Sequence, residues 1–161
     1  MKKCGGFTLI EILIVMVIIS IVSGVAVLTI TSNQSKSVEY FANRLTHLIQ
    51  LSEEEAMLRP ATLGLALTPV SFEFYEYKKK WLPLSDKIFG RQSIPGSIKI
   101  SLSVENNNAP LDGRPHIVIS PSGDLSSFVI FVGKKNKPPM FKIIGEANGS
   151  VKIKETDEND A

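Results

Sequence analysis

FTLIEILIVMVIISIVSGVAVLTI, residues 7–30, is apolar apart from Glu11 and a few small hydroxyl side chains. As a helix rising ~1.5 Å per residue it would measure roughly 36 Å, more than the ~30 Å of a bilayer's hydrocarbon core. Lys2 and Lys3 precede it, and flanking positive charge keeps that end in the cytoplasm while the rest crosses. A secretory signal peptide has a shorter apolar region, ~7–15 residues, with its cleavage site behind it. Here the run is too long and the small residues Gly5-Gly6 stand in front of it. The reading is a transmembrane helix that the mature protein keeps.

The helical pattern continues past residue 30. Val38, Phe41, Ala42, Leu45, Leu48, Ile49, Ser52 and Ala56 recur at spacings of three and four, which puts them on one face of an amphipathic helix. Glu39, Asn43, Arg44, Gln50 and Glu53-Glu54-Glu55 lie mainly off that face. Pro60 ends it, because proline restricts the residue before it and cannot continue the hydrogen-bond ladder. One helix is expected from about Phe7 to Leu58, with Gly24 and the Ser32-Asn33 pair as the places where it could bend.

Beyond Pro60 the period becomes two. Strands are expected at 62–67, 71–77, 98–105, 116–120, 128–132, 140–144 and 151–154. The clearest is Ile98, Ile100, Leu102 and Val104, alternating with Lys99, Ser101, Ser103 and Glu105. Pro121-Ser122-Gly123-Asp124, the Lys134–Pro139 stretch and Asn148-Gly149 are turn signals. Asn106–Gly113, NNNAPLDG, reads as a loop. The fold class is α+β: a long N-terminal helix, transmembrane and then amphipathic, packed on an antiparallel β-sheet domain. The expected divisions are a leader at 1–6, a transmembrane helix at 7–30, its amphipathic continuation at 31–59, a β-domain at 60–154 and an acidic tail at 155–161.

The chain's 161 residues suit one domain of ordinary size. Lys2 and Lys3 account for its net charge of +2. Without residues 1–6 the charge is balanced, so no broad field is expected to draw nucleic acid. Cys4 is the single cysteine, so the chain beyond it can form no internal disulfide. Lipid attachment at Cys4 would need an apolar stretch before it, and only Met-Lys-Lys is there.

Lys2-Lys3-Cys4-Gly5-Gly6-Phe7-Thr8-Leu9-Ile10-Glu11 carries the functional information. Gly6 has no Cβ, so a bond there can enter a narrow peptidase site in extended form. Glu11 is a lone carboxylate in an apolar helix. An unpaired ionised group in hydrocarbon costs several kcal/mol or is forced to protonate, so it calls for a partner. Basic leader, glycine, Phe-Thr-Leu-Ile-Glu and apolar helix together resemble the processing site of type IV prepilins and type II secretion pseudopilins. The resemblance implies cleavage between Gly6 and Phe7 by a membrane prepilin peptidase, which also N-methylates Phe7. It further implies an assembly role for Glu11, opposite the amine of a neighbouring subunit's Phe7.

The β-domain narrows the family. His116-Ile-Val-Ile-Ser-Pro-Ser-Gly-Asp, Ser127-Phe-Val-Ile-Phe-Val, Phe141-Lys-Ile-Ile, Gly149-Ser-Val and Trp81 resemble the H-type minor pseudopilins of the type II secretion pathway. Type IV pilins commonly close a C-terminal loop with two cysteines, and this chain beyond Cys4 has none. The resemblance implies a subunit near the tip of a periplasmic pseudopilus that serves protein export. Its partners would be other pseudopilins, major and minor, the peptidase, an inner-membrane assembly platform and exported proteins. The location would be the bacterial inner membrane, with the N-terminus cytoplasmic and the C-terminal domain periplasmic. Two other readings stay open at this point: a minor type IV pilin acting in pilus assembly or DNA uptake, and a single-pass membrane protein with no assembly role.

No phosphate-binding glycine loop or nucleophile elbow is present, so no enzyme and no cofactor are expected. His47 and His116 lack metal-ligand spacing. Asn106, Asn107, Asn108 and Asp112 offer oxygen donors without EF-hand spacing, so no metal is expected. Lys78-Lys79-Lys80 and Lys134-Lys135-Asn136-Lys137 read as solvated turns.

Overall fold

The computed structural model describes residues 8–105 and 107–156, with the side chains of all of these except 24–34. One helix, α1, spans Leu9–Leu58 and is unbroken through Gly24 and the Ser32-Asn33 pair. Its last turn closes with Arg59 N–H donating to Glu55 O at 3.0 Å, and Pro60 follows. Among the described residues ten strands come next: β1 (Leu63–Leu67), β2 (Ser71–Lys78), β3 (Lys80–Pro83), β4 (Gln92–Ser93), β5 (Ile98–Val104), β6 (Asn107–Ala109), β7 (Pro115–Ile119), β8 (Phe128–Lys134), β9 (Pro139–Gly145) and β10 (Val151–Glu155). The chain divides into two units, Met1–Ser37 and Val38–Ala161.

In the first unit the aliphatic side chains from Leu9 to Val22 are 46% to 84% exposed on every side of the helix. Ser20 Oγ donates to Met16 O at 2.8 Å, so its hydroxyl is satisfied within the helix. Among the described residues no helix is long and apolar enough to cross a membrane. Residues 24–30 of the apolar run lie outside the described side chains.

The second unit holds two antiparallel sheets. The first has the order β3-β2-β1-β7, with β4 also on β2; the second has the order β10-β9-β8-β5-β6. The chain changes sheet at β7, which pairs with β1 through Leu63 opposite Ile119, and returns at β8, which pairs with β5 through Ile100 opposite Val132. Both sheets and the helix contribute to one core. Val38, Phe41, Ala42, Leu45, Ile49, Ser52 and Ala56 are buried on the helix, as the spacing predicts, while Leu48 is partly buried. Thr46 and Ser52 keep polar atoms in this interior by donating to Ala42 O (2.9 Å) and Ile49 O (2.7 Å). Phe41, Phe72, Phe74 and Phe89 form an edge-to-face chain with centroid separations of 6.2, 6.5 and 5.3 Å.

Three short strands among the described residues, β3, β4 and β6, were not legible in the pattern. β4 is two residues long and is a strand only through its pairing with the start of β2. The 106–113 stretch is not wholly a loop, because Asn107–Ala109 pairs with β5 as β6. Its polar side chains have no period to read, and backbone pairing to Leu102–Val104 makes it a strand. Lys78 and Lys80 face each other across a hairpin with Lys79 at φ 62° between them, so the lysine run ends β2 and opens β3. Gly145 marks a close approach in the second sheet. A Cβ there would strike the ring of Phe128, its cross-strand partner, so the ring lies flat over the glycine.

Candidate processing and assembly site

The helix start is built by Thr8-Leu9-Ile10-Glu11. Glu11 N–H donates to Thr8 Oγ1 at 3.3 Å, and Thr8 N–H donates to Glu11 Oε2 at 3.5 Å. This is a reciprocal capping box, which satisfies two of the four backbone donors that a helix leaves open at its beginning. Thr8 O also accepts from Glu11 N–H at 3.1 Å and from Ile12 N–H at 3.3 Å. The carboxylate sits in the first turn, where the helix dipole favours negative charge. One long bond to Oε2 leaves most of the carboxylate's acceptor capacity open to a further donor.

Glu11 is therefore not a bare charge in an apolar helix, as the residues around it suggest. Its own helix terminus partly stabilises it. The Thr-x-x-Glu spacing is the signal that reveals this, and it is visible in the sequence. Gly6 and Phe7 lie outside the described residues.

The remaining polar candidates are elsewhere. His47 is exposed on α1. His116 Nε2 lies 3.0 Å from Asp112 Oδ1, and Arg114 donates through Nε to Asp112 Oδ2 at 2.7 Å and through its backbone N–H to Oδ1 at 3.0 Å. Arg114's hydrogen bonds hold the Asp112 carboxyl well below its ordinary value of 3.8, with a smaller contribution from His116. This network closes the loop leading into β7. Among the described residues no group of three or more His, Cys, Asp or Glu is placed to hold a metal.

The network has a pH consequence. A carboxyl with a depressed folded value adds stability above its unfolded value and loses it as pH falls through the folded one. Asp112→Asn is expected to lower the denaturation midpoint at neutral pH and to flatten its decline below pH 3.8. Identical acid limbs in wild type and variant would contradict this.

A long N-terminal helix followed by an antiparallel β-domain, with a capped Thr8-Leu-Ile-Glu11 helix start, defines the class as α+β and pilin-like. Residues 1–27 match the prokaryotic N-terminal methylation motif. Over 144 residues the chain is 31% identical to type II secretion system protein H of Pseudomonas aeruginosa, covering 80% of this chain and 82% of that protein. The fold is similar to that of the minor pseudopilin EpsH from the type 2 secretion system of Vibrio cholerae. The TM-score is 0.67 at 16% identity, over 78% of this chain and 98% of the other. It is also similar to the solution structure of Escherichia coli GspH, with a TM-score of 0.61 at 14% identity over 80% and 93% of the two chains.

The chain belongs to the type II secretion system protein H family, the H-type minor pseudopilins. The type IV pilin reading is not favoured by these relatives.

Proposed function

We propose that this minor pseudopilin is cleaved between Gly6 and Phe7, methylated on the new amine, and drawn by its N-terminal helix into a periplasmic pseudopilus, near the tip. The observation that carries this reading is the helix start itself: a capped carboxylate, Glu11, followed by a helix apolar on all sides. A helix that is hydrophobic all round belongs in lipid or among other helices. Before assembly the 7–30 segment spans the inner membrane, with the N-terminus cytoplasmic and the β-domain periplasmic. In the fibre, neighbouring helices replace lipid as its solvent.

Glu11 supplies the register. The Phe7 ammonium of an adjacent subunit neutralises it, and a misaligned neighbour leaves a charge unpaired in apolar surroundings. The partners are the major and minor pseudopilins, the prepilin peptidase and methyltransferase, the inner-membrane assembly platform and, at the tip, exported proteins. The subunit's contribution is mechanical, with no catalytic step assigned to it.

Intact-mass and N-terminal peptide analysis of the protein from native membranes tests the processing step. The expected product begins at Phe7 and carries one added methyl group. Recovery of a functional chain that still contains Met1–Gly6 would refute the proposal.

A further inference from the structure

The second sheet has two unlike faces. Ile98, Ile100, Ile130 and Ile143 are buried on one. Strand alternation puts Lys99, Phe131, Lys142, Lys152 and Lys154 on the other. The charges on that outer face are also sorted by end. Ile98 pairs with Lys134, Gly133 with Pro139, and Lys142 with Lys154, so the start of β5, the β8–β9 turn and the end of β10 share one edge. Lys99, Lys135, Lys137 and Lys154 are exposed there, with exposed Glu155 beside them at the end of β10 on the sheet's other face. Glu105 and Glu146 follow β5 and β9 at the opposite edge, where Glu146 pairs with Lys152 at 3.5 Å.

The lysine edge is a fixed surface. Lys99, Ser101, Phe131, Lys137 and Pro139 line a shallow hollow of about 70 Å³. A Cβ on Gly133 would come within 2.8 Å of Pro139 Cα and 2.9 Å of Pro138 O, so the turn is packed tightly on the strand it leaves.

The described chain ends at this same edge. Thr156 N–H donates to Met140 O at 2.9 Å. Thr156 Oγ1 is buried with no hydrogen-bond partner among the described residues. The next residues, Asp157-Glu158-Asn159-Asp160-Ala161, hold three carboxylates and no basic group. Extended at ~3.3 Å per residue they reach roughly 16 Å, and β5 is three strand spacings from β10, roughly 14 Å. The segment is long enough to cross the sheet edge as far as Lys99.

We propose that this lysine-lined edge is a docking site for an acidic peptide and that its occupant is the chain's own segment Asp157–Ala161. The Debye length is ~8 Å at physiological salt, so only charges brought this close attract one another appreciably. Attachment at Thr156 holds the carboxylates at an effective concentration on the order of millimolar beside the lysines. An acidic segment of another protein must displace the tail to bind there.

Carbodiimide treatment of the full chain in detergent, followed by peptide mapping, tests the contact. Amide links from Asp157, Glu158 or Asp160 to Lys99, Lys135 or Lys137 are expected, and they should fall away in high salt. The second measurement uses a labelled oligoglutamate peptide as probe. Neutralising the tail (Asp157→Asn, Glu158→Gln, Asp160→Asn) should tighten its binding about tenfold, and Lys99→Gln with Lys135→Gln and Lys137→Gln should abolish it. Links running to Lys78–Lys80, or to no lysine, would overturn the proposal, as would an oligoglutamate affinity indifferent to the tail charges. It is equally overturned if neutralising the tail releases binding only of anionic vesicles or of duplex DNA.

Discussion

Glu11→Gln is expected to exclude the subunit from the fibre while leaving its helix start intact. Glutamine can occupy the third position of a capping box as glutamate does, so the bond from Thr8 N–H, 3.5 Å in the native chain, has an acceptor in the variant. What glutamine cannot do is neutralise an ammonium group. In the proposed assembly, a methylated Phe7 amine left unpaired in an apolar fibre core would cost about 3–5 kcal/mol, the range measured when one member of a buried ion pair is removed. At 1.4 kcal/mol per factor of ten, this lowers the association equilibrium roughly 10²- to 4 × 10³-fold.

Thr8→Val is the complementary variant. It removes the cap hydroxyl, at about 0.5–2 kcal/mol, but keeps the charge, so incorporation should survive. The measurements are cross-linked recovery of the subunit with other pseudopilins, secretion of an exported protein, and far-ultraviolet circular dichroism to follow the helix. Normal secretion with Glu11→Gln would show that the carboxylate acts only as a cap.

Phe74→Ala is expected to destabilise the β-domain by about 4 kcal/mol. Phe74 is fully buried, with edge-to-face contacts to Phe72 and Phe89. Its backbone also ties two further segments to β2: Phe74 N–H donates to Phe89 O at 3.1 Å, and Leu84 N–H donates to Phe74 O at 2.9 Å. Truncation opens a cavity in the core beside Phe72 and Phe89. Domains of this size are stable by about 5–15 kcal/mol, so a loss of this order removes a large share of the total. Tyr77→Ala, on the same strand but 50% exposed, should cost less than about 1 kcal/mol. Urea midpoints of the two variants compare the effects, and similar midpoints would place the aromatic chain outside the stabilising core.

The sequence carried much of this architecture because its periods are strong. The three- and four-residue spacing from Val38 to Ala56 selects one helix face, and that face is the buried one. Pro60 stops the helix where proline must. Alternation in Ile98–Val104 identifies β5 because a half-buried strand has to alternate. The Thr8–Glu11 cap follows from a spacing set by helix geometry alone, although among its apolar neighbours Glu11 reads as a lone carboxylate and the cap is passed over. These features are local: each follows from residues within a turn or two of one another.

The division into two sheets is not local. Nothing in Pro115–Ile119 says that β7 joins β1 some fifty residues earlier rather than its neighbour β6, because strand pairing is chosen by which buried faces meet. The same holds for Asn107–Ala109, a strand only because β5 offers it a free edge, and for the lysines of residues 99, 135, 137 and 154. Dispersed in the sequence, they read as separate solvated positions, and antiparallel register brings them to a single edge. Sequence alone determined the helix, its cap and the chemistry of its first turn. Tertiary structure decided which strands share a sheet and which charges become neighbours, because hydrogen-bonded pairing between distant segments depends on the whole core they enclose.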